Sequence, residues 1–177
     1  MGWSMKYQKI NKSDIANGPG VRCALYVSGC SLRCKGCHNK EAWDFNGGNE
    51  FTAETVTEIL KYLEPSYIKG FSLLGGEPFD QNPDILINLL SQIRAKYPEK
   101  DIWCWTGYEF DQIKDRELTK YIDIAVCGPF KLELRDISAN NPWRGSTNQY
   151  IVAVEQSLAK NRSIPLLGIL NNNVPEN

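Results

Sequence analysis

The chain has 177 residues, 42% of them hydrophobic and 23% charged, the profile of one globular domain with a sizeable core. Twenty basic side chains against twenty-one acidic ones give a net charge of −1, which excludes a bulk electrostatic attraction to nucleic acid. Residues 1–10 lack the apolar stretch of a secretory signal, and no apolar run approaches the roughly 20 residues that span a bilayer; a cytoplasmic protein with no membrane partner is expected.

In chain order, Asn17-Gly18-Pro19-Gly20 reads as a tight turn ahead of a first strand at Val21–Val27, and a cysteine-rich loop follows. Thr52 can cap a helix whose apolar positions, Val56, Ile59, Leu60 and Leu63, fall at i, i+3, i+4 and i+7 on one face, with Pro65 ending it. Residues 70–74 form a short apolar run broken by Gly75-Gly76-Glu77-Pro78. Asn82-Pro83 starts a second helix, with Leu86, Leu89, Leu90 and Ile93 as its buried stripe to about residue 97. A third strand is predicted over Asp101–Trp105, with a turn at Thr106-Gly107-Tyr108. A weaker helix follows over 111–121, then a fourth strand over 122–127 closed by Gly128-Pro129. Residues 132–148 are polar and loop-like. A fifth strand over 149–154, a short helix over 155–161, a last strand over 163–170 and a frayed polar tail over 171–177 complete the chain. No repeat, linker or low-complexity segment divides it, so a single domain over 1–177 is expected, with its core over about 10–154 and no role assigned to 155–177.

Strands separated by helices imply βαβ units and a parallel sheet. Five or so units are too few for a closed eight-fold barrel of roughly 250 residues. The expected fold is α/β, a partial, open (βα) barrel or curved sheet of about five to six parallel strands. In such folds ligands sit at the carboxyl ends of the strands. The cysteine loop, Gly-Gly-Glu-Pro, Thr-Gly-Tyr and Gly-Pro-Phe each follow a predicted strand, so they converge on one rim.

Cys30, Cys34 and Cys37 stand in a C-x3-C-x2-C frame. Cysteine-held iron–sulfur clusters normally take four protein ligands; three leave one iron open to a substrate. A structural zinc site would need a fourth ligand, for which only the adjoining His38 offers itself. An inert or disulfide role is the remaining reading. Cys23, Cys104 and Cys127 are scattered in apolar stretches and read as buried small hydrophobes. Gly75-Gly76 either ends a strand or lets a ligand approach the backbone. Trp103, Trp105 and Tyr108 read as core or rim packing. His38, the one histidine, is a loop side chain or a substrate contact. It has no nucleophile partner, and no carboxylate pair suggests acid–base work, so redox or radical chemistry remains.

The cysteine frame resembles the cluster motif of radical S-adenosylmethionine enzymes, and Gly75-Gly76-Glu77-Pro78 resembles their methionine-binding motif. More narrowly, the chain resembles the activating enzymes of anaerobic (class III) ribonucleotide reductase. That likeness rests on Asn17-Gly18-Pro19-Gly20-Val21-Arg22, the cysteine loop with Asn39 and Trp43, and Gly-Gly-Glu-Pro. It extends to Asp101-Ile102-Trp103-Cys104-Trp105-Thr106-Gly107-Tyr108 and Trp143-Arg144-Gly145-Ser146-Thr147-Asn148-Gln149.

The resemblance implies one 4Fe–4S cluster per chain, held by Cys30, Cys34 and Cys37, with S-adenosylmethionine on the fourth iron. It implies cofactor contacts from Gly36, Cys37, His38, Gly75, Gly76 and Glu77, with no catalytic side chain. It also implies a radical oxidoreductase that activates the reductase by abstracting hydrogen from a glycine, with reduced flavodoxin or a similar carrier as electron donor. Three positions depart from the pattern. Gly36 stands where many members have an aromatic residue. His38 follows the last cysteine, as in the pyruvate formate-lyase activating branch, the rival assignment. Cys127 replaces a common Asp. The other alternative is a non-catalytic zinc-binding module.

Overall fold

The computed structural model describes residues 5–175. The predicted absence of a signal rests partly on residues 1–4, and the polar tail includes 176–177; both stretches lie outside the described residues.

The strands β1 (Lys6–Asp14), β2 (Val21–Val27), β3 (Asn49–Glu50), β4 (Ile68–Gly75), β5 (Asp101–Trp105), β6 (Ile124–Cys127) and β7 (Tyr150–Ala153) form one seven-stranded open sheet in the order β3-β1-β2-β4-β5-β6-β7. The expectation of five to six parallel strands is corrected to four: β2, β4, β5 and β6 run parallel, while β1, β3 and β7 are antiparallel to their neighbours. A parallel neighbour needs a crossover that carries the chain back to the other end of the sheet. Residues 128–149 make no such return. They stay at the rim where β6 ends, with one short 3-10 turn at Leu132–Leu134, and β7 starts from that rim.

The helices are α1 (Ala53–Leu63), α2 (Pro83–Lys96), α3 (Phe110–Ile113) and α4 (Val154–Lys160). Thr52 precedes α1, its backbone N–H donating to Thr55 Oγ1 at 3.1 Å. Asn82 caps α2 by accepting from Asp84 N at 3.0 Å. The helix predicted over 111–121 breaks into α3 and a 3-10 turn at Glu117–Tyr121. The Thr119 hydroxyl donates to Ile113 O at 2.6 Å, occupying a carbonyl that a continuous helix would use. The strand predicted over 163–170 is absent apart from one bridge between Pro165 and Val152. Pro165 brings no N–H to a ladder, and Gly168 turns the chain at φ +81°.

Successive strand residues face opposite sides, and the two sides differ in chemistry. Cys23, Leu25, Val27, Phe71, Leu73, Ile102, Cys104, Ala125 and Cys127 pack with the apolar stripes of α1 and α2 in the main core. On the opposite face lie Arg22 and Ser72, and a smaller cluster of Trp103, Val126 and Ile151 joined by Trp105 and Trp143. Arg22 is fully buried there. It donates to Ser72 Oγ at 2.8 Å and Phe71 O at 3.0 Å, pairs with Asp101 at 2.6 Å, and lies over the Trp103 ring. This cation joins β2, β4 and β5 across the face that carries no helix.

Replacing Arg22 by Met strands those acceptors. Urea unfolding of Arg22→Met is expected to show a loss of about 3 kcal/mol. An unchanged midpoint would mean that the buried pair contributes nothing net.

Candidate cofactor cavity

The parallel strands end together. From β2 the chain enters the cysteine loop, from β4 the Gly-Gly-Glu turn, from β5 Thr106-Gly107, and from β6 Gly128-Pro129-Phe130. The first two are joined backbone to backbone. Gly76 N donates to Val27 O at 2.7 Å and Glu77 N to Gly29 O at 2.8 Å; Gln81 Nε2 adds a second donor to Gly29 O at 3.0 Å. Asn39 Nδ2 reaches back to Gly75 O at 3.3 Å, and Ser31 N donates to Asp80 Oδ2 at 2.7 Å. The contact requires Gly76: a Cβ there would overlap the Gly29 carbonyl and lie 2.9 Å from Ala42 O.

Glu77 is 1% exposed. Its carboxylate accepts from Phe79 N at 3.1 Å, Thr106 Oγ1 at 2.8 Å and Gly107 N at 2.8 Å. Burial pushes its pKa up to about 7, and these three donors only partly oppose the rise. The side chain thus locks the turn after β4 to the turn after β5.

These loops surround a cavity of about 770 Å³. Cys30, Cys34, Gly36, Cys37, His38, Gly75, Gly76 and Glu77 all line it, so the structure brings together every residue singled out from the sequence as a ligand or cofactor contact. His38 is exposed. Glu77 shows the cavity a carboxylate already committed to protein donors. Cys23, Cys104 and Cys127 are fully buried on the helix side and do not line the cavity. The Cys127 thiol is held well above its ordinary pKa by burial, so the common Asp has no polar counterpart there.

A further part of the lining was not assigned to the cavity from the sequence, although Trp105 reads there as core or rim packing. Asn17, Tyr26, Trp105, Trp143 and Arg144 form it. Asn17 and Tyr26 bond each other at 2.8 Å, and both bond the buried Asp14. Tyr26 shares a strand face with Arg22, so period-two alternation through Val21–Val27 carried the signal. Trp143 and Arg144 sit in an irregular loop, where no such period exists.

The three thiols are free and suited to a metal centre. Burial raises Cys30 and Cys34 above the ordinary thiol value, although backbone N–H groups of Arg33 and Leu32 face Cys30 and that of Phe130 faces Cys34. Asn39 N donates to Cys37 Sγ at 3.4 Å. Iron would supply the positive charge that burial withholds from these thiolates, and the N–H groups would stabilise the sulfurs. Among the described residues no three Cys, His, Asp or Glu side chains converge as one ion requires. A cubane has no such need, because it spreads three thiolates over three irons.

A family model described as a 4Fe-4S single cluster domain matches residues 16–152, a span containing all three cysteines. The anaerobic ribonucleoside-triphosphate reductase-activating protein of Enterobacteria phage T4 is 43% identical over 146 residues, covering 82% of this chain and 92% of its own length. The proteins of that name from Escherichia coli K12 and Vibrio cholerae serotype O1 are 42% and 40% identical over 152 residues, each covering 83% of this chain and 97% of its own length.

The chain belongs to this family of reductase-activating proteins.

Within an activating protein of this kind, Gly36 has a steric explanation. It sits at φ +76°, and a Cβ on it would lie 2.8 Å from Leu132 Cδ1. Leu132, from the loop after β6, fills the space an aromatic side chain at position 36 would claim.

Gly76→Ala is expected to push the cysteine loop off the Gly-Gly-Glu turn, lowering the unfolding temperature by about 5 °C and the iron retained after anaerobic reconstitution. Full iron at wild-type stability would show that the turn yields freely. Glu77 gives a pH signature. Its folded pKa lies above the ordinary 4.5, so its stabilising contribution is greatest below that value and is lost as pH rises through about 7. The unfolding temperature of Glu77→Gln should lack this decline, and parallel wild-type and variant profiles would rule it out.

Proposed function

We propose that this chain is a radical S-adenosylmethionine activase that generates a glycyl radical on an anaerobic ribonucleoside-triphosphate reductase, acting as a single open partial-barrel domain. One observation carries the reading. Three free cysteines and a Gly-Gly backbone turn line one cavity at the carboxyl ends of the parallel strands, in a chain whose relatives are named for that activation. No helix among the described residues is long and apolar enough to cross a membrane, in keeping with a cytoplasmic setting.

In this reading Cys30, Cys34 and Cys37 hold one 4Fe–4S cluster. Bound there, the two cofactors would supply the chemistry, a one-electron reductive cleavage of the carbon–sulfur bond of S-adenosylmethionine with the electron from a carrier such as reduced flavodoxin, ending in hydrogen-atom abstraction from a glycine Cα of the reductase. The protein holds and orients. The backbone of Gly36, Cys37 and His38 and the half-buried edge of Gly75-Gly76 would face the cofactor, the glycines presenting bare backbone. Glu77 acts by fixing that edge through Thr106 and Gly107. The open mouth admits a segment of a protein substrate, and net charge near zero fits a protein partner better than nucleic acid. His38 favours one rival, activation of a formate-lyase-type enzyme, because that branch places histidine after the last cysteine.

The reduced, reconstituted protein should cleave S-adenosylmethionine and raise an EPR doublet on a co-expressed anaerobic reductase. A doublet on a formate-lyase but not on the reductase would move the assignment to the rival. Cys30→Ala should lose the cluster, while Cys23→Ala should keep wild-type iron. One zinc per chain and no sulfide would end the radical reading.

A further inference from the structure

The segment after α4 lies beyond the matched 4Fe-4S domain, which ends at residue 152, yet it is bound tightly to the fold. β7 is the edge strand, and this segment covers it. Ala153 N donates to Ile164 O at 3.0 Å and Leu166 N to Ile151 O at 3.0 Å. The Asn172 amide completes the pairing: it accepts from Ile151 N at 2.8 Å and donates to Ile151 O at 2.8 Å, as a further strand would.

The same segment reaches the cavity wall. Arg144 Nη2 donates to Leu170 O at 2.6 Å and Nη1 to Asn171 O at 2.8 Å. Arg144 is 4% exposed and forms no salt bridge among the described residues; main-chain carbonyls hold its guanidinium. Leu166 and Ile169 pack with the tryptophan cluster. Within it Trp143 sits at φ +59°, a conformation L-residues rarely adopt, and its carbonyl accepts from Trp105 Nε1 at 2.7 Å. Trp105, Trp143 and Arg144 all line the cavity. A strained loop residue persists only where its surroundings hold it, and here residues 163–172 supply part of that support.

We infer that residues 163–172 are a strap that positions Trp143 and Arg144 in the cavity wall and thereby sets its affinity for S-adenosylmethionine, an inference that rests on the cofactor reading above. The strap's own hydrogen bonds run to Arg144, Asn140, Ser157 and β7 with Ala153, and none among the described residues runs to the cysteine loop, so cofactor affinity can change while cluster assembly is kept. Arg144 and Asn172 act as one connection, joined through consecutive residues of the strap.

Two substitutions break that connection from opposite ends in the full-length, reconstituted protein. Asn172→Ala removes the amide that clips the strap to β7. Arg144→Lys keeps the charge but loses the fork that spans two carbonyls. Each is expected to bind S-adenosylmethionine about tenfold more weakly in equilibrium dialysis, with iron and sulfide unchanged. Each should also red-shift the tryptophan emission of the apoprotein as the cluster loosens. The double variant should bind no more weakly than the weaker single one, because both lose the same contact. Multiplicative losses would overturn the inference. So would wild-type affinity in Asn172→Ala at a reduced unfolding temperature, since the strap would then only cover an edge. Failure of the wild-type holoprotein to bind S-adenosylmethionine would instead bring down the cofactor reading itself.

Discussion

The carbonyl of Gly29 accepts from Glu77 N and Gln81 Nε2, and so fixes the distance between the loop carrying the cysteines and the turn whose glycine edge lines the cavity. In the proposed reading a cluster and S-adenosylmethionine would need both surfaces at once, one supplying thiolates and the other bare backbone. Neither loop is regular structure, so neither can be placed by a helix or strand ladder alone. Their registration comes from β2 and β4 being parallel neighbours, paired from Val21 with Ile68 to Val27 with Gly75. Glu77 extends the same lock to the turn after β5.

The sheet solves a further problem by treating its two faces differently. Helices bury one face in an ordinary apolar core. The other carries Arg22, Ser72 and the tryptophans near its middle, and opens into the cavity where the strands end. A buried guanidinium tied to β4 and β5 keeps that face closed at one end without filling the other. The family relationship and this division agree: the 4Fe-4S domain matched at 16–152 spans every parallel strand.

What the sequence made legible follows from how locally each feature is determined. β2 and β5 are short apolar runs and fall where predicted, and α1 and α2 show strong 3.6-residue periodicity. The chemistry was legible for the same reason, since the cysteine frame and Gly-Gly-Glu are contiguous motifs. β1 was not seen, because Lys6–Asp14 is polar and half-exposed, and its pairing depends on Val21–Val27 rather than on its own pattern. Residues 163–170 misled in the opposite way. Leu166 and Ile169 pack with the tryptophans, Leu167 and Leu170 are exposed, and only the short stretch from Ile164 to Leu166 bonds to β7. Trp143 and Arg144 stood inside a quoted motif, but their place in the wall depends on Leu170 and Asn171, far along the chain.

Leu132 packed over Gly36 ties the cysteine loop to the segment between β6 and β7. An aromatic residue at 36 would have to adopt φ +76° and push aside the tip of the Leu132 side chain, which is 42% exposed. The cysteine loop is therefore shaped first by the left-handed turn at Gly36 and second by its contact with Leu132. A chimaera that takes an aromatic-bearing cluster loop from a distant activase must bring a backbone that avoids φ +76° at position 36 and turn the Leu132 side chain outward.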